Sequence, residues 1–441
     1  MPESAHTDAQ STSEADYDAV VVGASLAGCT SAIMLGRAGA RVALVEQRPD
    51  INTFKRICSH YIQASAVGTL ERIGLLEPML EAGGVRSRGH MWTRWGWIDP
   101  QPNSRVPAGV NLRRERLDPL IRRVAGETSG VELILGCAVN ELVREDDGRV
   151  RGVRARAADG HTATLRAPLV VGADGRGSRV AKLAGVRTKT VPHGRFAYAG
   201  YFEGPPTEHA PDASLWFLDP HMAAAFPTDQ GMTLYAVMPT NDLLGEFKAD
   251  PLKALVDFMA AVPDAPPIRA SRLVEPVQGK LDMTNVAHAV TAPGLALVGD
   301  AALAIDPLWG VGCGWAFQSA EWLADSVAPA LADGFARSSG AALERGLKRY
   351  RRRHALGLRG HAAMMYGYAS GRKFSAGEKM LFAAAARDER LARTFEAFGT
   401  RSIGPARMFA TTLPRALLVN ARHMRSAPPG GGSHTVQAGN V

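Results

Sequence analysis

The chain is short of cysteine, of long apolar runs and of any basic leader. Four cysteines stand in 441 residues, at Cys29, Cys58, Cys137 and Cys313, with no CxxC pair among them. That spacing argues against a metal knot or a disulfide framework and fits a reducing cytoplasm. No unbroken apolar run approaches the roughly 18 residues that span a bilayer. Residues 1–16 hold no Lys or Arg and lack the basic and apolar regions of a signal peptide. A second GxGxxG ahead of a strand–helix pair is also missing, so no separate nicotinamide domain is visible. These absences predict a soluble, cytoplasmic protein with no membrane span and no metal site.

What is present is a globular balance, 46% hydrophobic and 21% charged, in a chain long enough for two or three structural units. The formal net charge of +8 is uneven: residues 331–441 carry +13 and the rest carry −5. The basic excess therefore belongs to the last quarter. It reads as a solvated helix face, and no nucleic-acid partner is expected.

Residues 17–22 (YDAVVV) form a short apolar strand, 27–38 has helical spacing, and 41–46 (RVALVE) is a second strand, a βαβ opening. Trp92, Trp95 and Trp97 then alternate with small or polar residues, and prolines follow. That predicts a β insertion at about 85–110 within the first domain. A helix is expected over 117–124 and strands over 131–135, 149–155 and 164–171. Strand-like pieces at 213–217 and 232–238 and one helix at 252–261 suggest a second domain on an antiparallel sheet. A buried strand returns at 295–298, and the chain is then mostly helical to about 425, with a break at 403–405. The resulting division is a disordered arm at 1–16, a discontinuous first domain at 17–185 and 291–330, a second domain at 186–290, a helical segment at 331–427 and a disordered Gly-rich tail at 428–441.

Three motifs carry chemistry. The first, GASLAG at 23–28, lies between a strand and a helix. Gly23 allows the sharp turn, Gly28 lets the helix pack closely, and the helix N-terminus offers free N–H groups to a pyrophosphate. Glu46 ends the next strand, where its carboxylate can accept from both ribose hydroxyls. Ser25 replaces the middle glycine, so a dinucleotide has to sit slightly away from the backbone. The second motif, LVVGADGRGSRV at 169–180, ends a buried strand in Asp174-Gly175, either a ligand-facing carboxylate or an ordinary Asp-Gly turn. The third, at 295–316, ends a strand at Gly299-Asp300. Pro307 follows, and Gly310, Gly312 and Gly314 open a helix expected to run to about 325. Asp300 can bind hydroxyls, the glycines admit a flat ring close to the backbone, and the helix N-terminus can stabilise negative charge.

The order GxGxxG-like, then DG, then GD resembles that of FAD-dependent monooxygenases of the para-hydroxybenzoate hydroxylase type, over roughly residues 17–330. The resemblance implies an α/β fold, a Rossmann-type FAD-binding domain with an inserted β-sheet substrate domain and a helical C-terminal segment. It implies FAD, with Gly23, Ser25, Gly28, Glu46, Gln47 and Arg48 at the adenosine half and Arg114 at the phosphates or ribityl. Val139 would touch adenine through its backbone, Asp174 and Asp300 are the DG and GD aspartates, and Pro307, Gly310, Gly312 and Cys313 lie beside the flavin ring. It further implies that NADPH or NADH reduces the FAD and that one oxygen atom of O2 enters a small-molecule substrate. A separate flavin reductase is the other source of electrons.

Leu303 and Gly314 depart from the family, which often has His and Asn there. Residues 54–60 (FKRICSH) resemble the PRxKxCG region of geranylgeranyl reductases, which share the fold but saturate double bonds; that is the alternative activity. Flavin halogenases are related, but their WxWxIP motif follows the DG region, whereas the tryptophans here precede it. Lys55 also lies too close to Glu46 to match their catalytic lysine. A flavin-containing binding protein is the remaining class. On the substrate side, His60, Pro307 and Trp309 are expected to face flavin or substrate. Trp92, Trp95, Trp97, Trp216, Phe226 and Trp315 are further aromatic candidates, each also readable as core. The aromatic and proline content favours an aromatic or polycyclic substrate. Gly36, inside the first helix, is expected to tolerate alanine.

Overall fold

The computed structural model describes residues 12–331 and 340–426. The tail expected at 428–441 and residues 1–11 of the expected arm lie outside them.

The central sheet runs in the order Thr291–Ala292, Leu295–Leu297, Leu169–Gly172, Ala19–Val22, Val42–Glu46, Val131–Leu135, all parallel except Thr291–Ala292 at one edge. Ala19–Val22 and Leu169–Gly172 are apolar and buried at every residue, as strands covered on both faces are. The three motifs, far apart in sequence, follow strands that are neighbours here. They therefore emerge together at the carboxyl edge of one parallel sheet, where such sheets bind ligands.

Helix Leu26–Arg37 packs beside this sheet, with Ser25 at its N-cap and Arg37 in its last turn, where a cation suits the dipole. A Cβ on Gly36 would lie 2.7 Å from Val131 Cγ2 and 2.9 Å from the Ser129 carbonyl oxygen. The expected tolerance of alanine is thus overturned, because this glycine lets the helix pass the entry to Val131–Leu135.

Residues 12–16 are not a disordered arm. Thr12–Asp16 is a strand parallel to Thr162–Arg166, at the edge of a sheet completed by Val150–Ala157 and Cys137–Arg144. An edge strand presents unpaired N–H and C=O groups, which a polar segment can satisfy without an apolar pattern. The single strand expected at 164–171 is also two, Thr162–Arg166 and Leu169–Gly172, in different sheets. Pro168 falls between them and has no N–H for a ladder.

An eight-stranded sheet forms the second region, in the order Arg272–Leu273, Ala197–Glu203, Met232–Met238, Met222–Pro227, Ala213–Phe217, Gly89–Thr93, Gly96–Ile98, with Gln278–Lys280 also paired to Ala197–Glu203. Gly89–Thr93 lies parallel to Ala213–Phe217, with Trp92 opposite Trp216. The tryptophan-bearing hairpin thus completes this sheet and is no separate insertion in the first region. Phe196, Tyr198, Trp216 and Tyr235 share a core with helix Pro251–Ala261. Ile98, Phe217, Met222 and Met238 share another with the C-terminal helices.

Those helices are Gly340–Ala369, Ala376–Ala385, Glu389–Gly399 and Pro405–Ser426. Helix Gly312–Leu331 runs past the end expected near 325. No described helix is long and apolar enough to cross a membrane.

Candidate functional site

The first loop is held by backbone contact. Gly23 has φ +103°, and a Cβ there would lie 2.7 Å from the Ala173 carbonyl oxygen. On Gly28 it would lie 1.8 Å from the Gly23 oxygen. Ser25 does not cap its own helix; its Oγ accepts from Arg114 Nη2 at 2.8 Å. The side chain that replaces the middle glycine therefore ties the loop to a guanidinium. Glu46 accepts from the Ala24 N–H at 2.9 Å and from the Arg48 N–H at 3.1 Å, one bond to each oxygen. Gln47 and Arg48 are exposed beside it.

Arg114 is buried and donates through Nε to Asp118 Oδ1 at 2.8 Å. Burial opposes its charge, but the Asp118 carboxylate together with the Cys58 and Cys313 sulfurs outweighs it, and its pKa is raised. Val139 is buried in Cys137–Arg144, next to a register shift. Asp174 accepts from Ser178 Oγ at 2.6 Å and from the Val180 N–H at 3.0 Å. Both bonds tie Asp174 to the start of helix Arg179–Ala184.

The stretch 54–63 meets the loop after Asp300. Lys55 Nζ stands 3.2 Å from Asp300 Oδ2, and the Lys55 backbone N–H donates to Asp118 Oδ2 at 2.9 Å. Burial pushes the Asp300 carboxyl up, but the Lys55 ammonium overrides it, and the net direction is down. Asp300 in turn holds the Lys55 ammonium up. Gln63 Nε2 donates to the Trp309 carbonyl at 3.0 Å, and Arg401 Nε donates to Gln63 Oε1 at 2.8 Å. Pro307 is exposed, Gly310 has φ +59°, and a Cβ on Gly312 would meet nothing within 4 Å.

His60 is buried with φ +59°, a left-handed conformation rare for a non-glycine residue. Its Nδ1 accepts the backbone N–H of Arg114 at 3.0 Å, and its Nε2 contacts the Tyr201 hydroxyl. Burial lowers its pKa to about 4, so the ring is neutral at physiological pH. An N–H can only donate, so the single ring proton lies on Nε2 and the Tyr201 oxygen accepts it. The Tyr201 proton is then free to point elsewhere. Burial also pushes the Tyr201 phenol far up, so it keeps that proton.

Both residues border a small hollow, with Lys55, Arg56, Arg113, Glu115, Glu275 and Gln278 among its lining. Among the described residues no tryptophan lines it. Trp309 meets Phe217 and Phe398 edge-on, and its Nε1 and that of Trp315 are buried without a partner. Trp216 is core, donating to the Pro263 carbonyl at 2.8 Å. Trp97 donates to Asp264 at 2.9 Å, and Phe226 packs on Tyr61. Trp92 is partly buried against the core around Trp216, and Trp95 against that of the C-terminal helices.

The structure thus brings His60 and Arg114 together. Sequence reasoning missed Tyr201, Arg113 and Arg401, which nothing local marks. Lys55 and Cys58 carried a signal in FKRICSH. Elsewhere, His90, Asp99 and His209 bring ligand-type atoms within 4.8 Å of one another, although no metal-ligand spacing is visible in sequence.

Residues 16–356 match the family described as FAD binding domain. Digeranylgeranylglycerophospholipid reductase 1 from Methanococcoides burtonii is 28% identical over 333 residues, 72% of this chain and 75% of that protein. Tryptophan 2-halogenase from Chondromyces crocatus is 25% identical over 327 residues, 70% of this chain and 60% of that one. Among solved structures, PqsL, a probable FAD-dependent monooxygenase from Pseudomonas aeruginosa, matches with a TM-score of 0.64 at 22% identity, over 87% of this chain and 100% of that one.

Proposed function

The chain belongs to the FAD-binding-domain family and is an FAD-dependent oxidoreductase, and from that premise we propose that it is a monooxygenase, inserting one oxygen atom of O2 into an aromatic or polycyclic small molecule with NADPH or NADH as electron donor.

The residues present fit FAD. Gly23 and Gly28 have no room for a Cβ, so the loop stays tight and the helix N-terminus is left for a pyrophosphate. Glu46 keeps unshared lone pairs for ribose hydroxyls, with Gln47, Arg48 and Val139 on the adenosine side. Ser25 and Arg114 would meet the phosphates, and Asp300 would meet the ribityl chain. Pro307, Gly310, Gly312 and Cys313 would border the ring, where Gly312 has open space. When bound and reduced, FAD supplies the activation of O2.

The observation that carries the monooxygenase reading is the His60–Tyr201 pair on a polar hollow. His60 holds the Tyr201 oxygen as an acceptor, which leaves the phenolic proton for an oxygen atom of the substrate. Charged groups of both signs, from Lys55, Arg56, Arg113, Glu115 and Glu275, and the Gln278 amide line the same hollow. Such a lining suits a ring bearing hydroxyl or carbonyl groups better than an isoprenoid chain.

The second reading, a reductase that saturates a double bond, is supported by the 28% identity to the Methanococcoides reductase and by the motif-like placement of Lys55 and Cys58. One experiment separates them. The protein is reduced with NADPH without oxygen, with candidate substrates, and then exposed to isotopically labelled dioxygen. Label in the product supports the monooxygenase. A product that gains two hydrogens before any oxygen is admitted supports the reductase. Reduction only by an added flavin reductase identifies a partner-dependent enzyme.

A further inference from the structure

Cys58 and Cys313 are 255 residues apart in sequence, yet their Sγ atoms stand 3.5 Å apart. Cys313 opens helix Gly312–Leu331. Cys58 belongs to the 54–63 stretch, which is braced against the 307–313 loop. Besides the Gln63–Trp309 bond, a Cβ on Gly310 would lie 3.4 Å from the Tyr61 ring. Closing the sulfur gap to a bond of about 2 Å needs a movement of roughly 1.5 Å.

The two thiols are differently placed. Cys58 Sγ accepts the His60 backbone N–H at 3.3 Å and lies 3.8 Å from Arg114 Nη1. The hydrogen bond from Cys313 holds the Cys58 thiol well below the ordinary range against the cost of burial, and Arg114 and Lys55 act in the same direction. Cys313, as the donor, is pushed up. One sulfur is thus a nucleophile and its neighbour a thiol able to resolve it. Burial pushes up the thiols of Cys29 and Cys137.

We propose that Cys58 and Cys313 form an oxidation-sensitive pair, which hydrogen peroxide closes into a disulfide that locks the 54–63 stretch to the 307–313 loop at the candidate cofactor cleft. The Cys58 thiolate attacks one peroxide oxygen, the O–O bond breaks, and the departing hydroxide takes up a proton to leave as water. Cys58 is then a sulfenic acid. Cys313 attacks that sulfur, the S–O bond breaks, and a second water leaves with the Cys313 proton. The two sulfurs lose two electrons and the peroxide gains them. The consequence for the cleft rests on the FAD reading; the thiol chemistry does not.

The test titrates the full, reduced chain with hydrogen peroxide and maps its thiols by non-reducing peptide mass spectrometry. Flavin content is read separately by absorbance. The expected product is a Cys58–Cys313 cross-linked peptide that dithiothreitol reverses. In Cys313→Ser, oxidation should stop at a sulfenic acid on Cys58 that dimedone traps. Cys58 should also alkylate at neutral pH on the order of tenfold faster than Cys137. A Cys58 that runs on to sulfinic acid while Cys313 stays free, or that alkylates no faster than Cys137, overturns the pair. The mapping of the unmutated chain decides the matter even if the variant fails to fold. Disulfide formation in a protein that binds no flavin would contradict the FAD reading alone; bound flavin without the disulfide would contradict the pair alone.

Discussion

The backbone N–H of Arg114 donates to Nδ1 of His60 at 3.0 Å, and that one bond fixes the proton of the ring on Nε2, opposite Tyr201. Tyr201→Phe keeps the shape and removes the phenolic donor. It should retain FAD and lower turnover by on the order of a hundredfold, the usual share of a positioned proton donor. Comparison of kcat with flavin content checks this, and unchanged turnover with FAD bound would remove Tyr201 from the chemistry. Because the His60 pKa lies near 4, the pH profile should show no inflexion from it between pH 5 and 8.

Asp300 is ionised and faces Lys55 at 3.2 Å. Asp300→Ala should leave the chain folded and weaken FAD retention by about 10- to 100-fold, since a hydrogen bond to a charged acceptor contributes roughly 1.5–3 kcal/mol. Titration of flavin-free protein with FAD measures it. Parental affinity would misplace the ribityl contact.

Gly312 and Gly36 should respond oppositely to a side chain. At Gly312 nothing lies within 4 Å, so Gly312→Val should keep the flavin-free melting temperature and lose flavin affinity. At Gly36 a methyl group meets Val131 and Ser129, so Gly36→Ala should cost about 1–3 kcal/mol of stability. Calorimetry and FAD binding on both variants provide the comparison, and full FAD affinity in Gly312→Val would refute the ring placement.

His90 sets a pH dependence of stability. Burial lowers its pKa, but hydrogen bonds and charge from Asp212 and Asp99 outweigh that, and the net direction is up. A raised folded pKa means that its contribution is complete below the unfolded value of about 6.5 and is lost as pH rises through the folded value. His90→Asn should flatten that slope in denaturant melts taken from pH 6 upward. An identical slope in the variant would show that other groups set it.

Much of the fold was legible because buried parallel strands are continuous apolar runs. YDAVVV, RVALVE and LVVG each announced a strand whose end carries a motif, and the 213–217 and 232–238 strands stand where expected. Thr12–Asp16 was illegible because an edge strand needs only backbone pairing, and the Trp92 hairpin because Trp92 pairs with Trp216, 124 residues later. The site was legible where a backbone constraint demands glycine, as at Gly23 and Gly28. It was illegible where side chains meet across the fold. Tyr201 lies 141 residues from His60, and no local pattern joins them.

The central claim is that this cleft holds FAD. Its most direct test is to denature the purified protein and identify the released flavin by chromatography, after reconstitution if the protein is colourless. The account predicts FAD, close to one molecule per chain. FMN alone, or no flavin even after incubation with excess FAD, would contradict it.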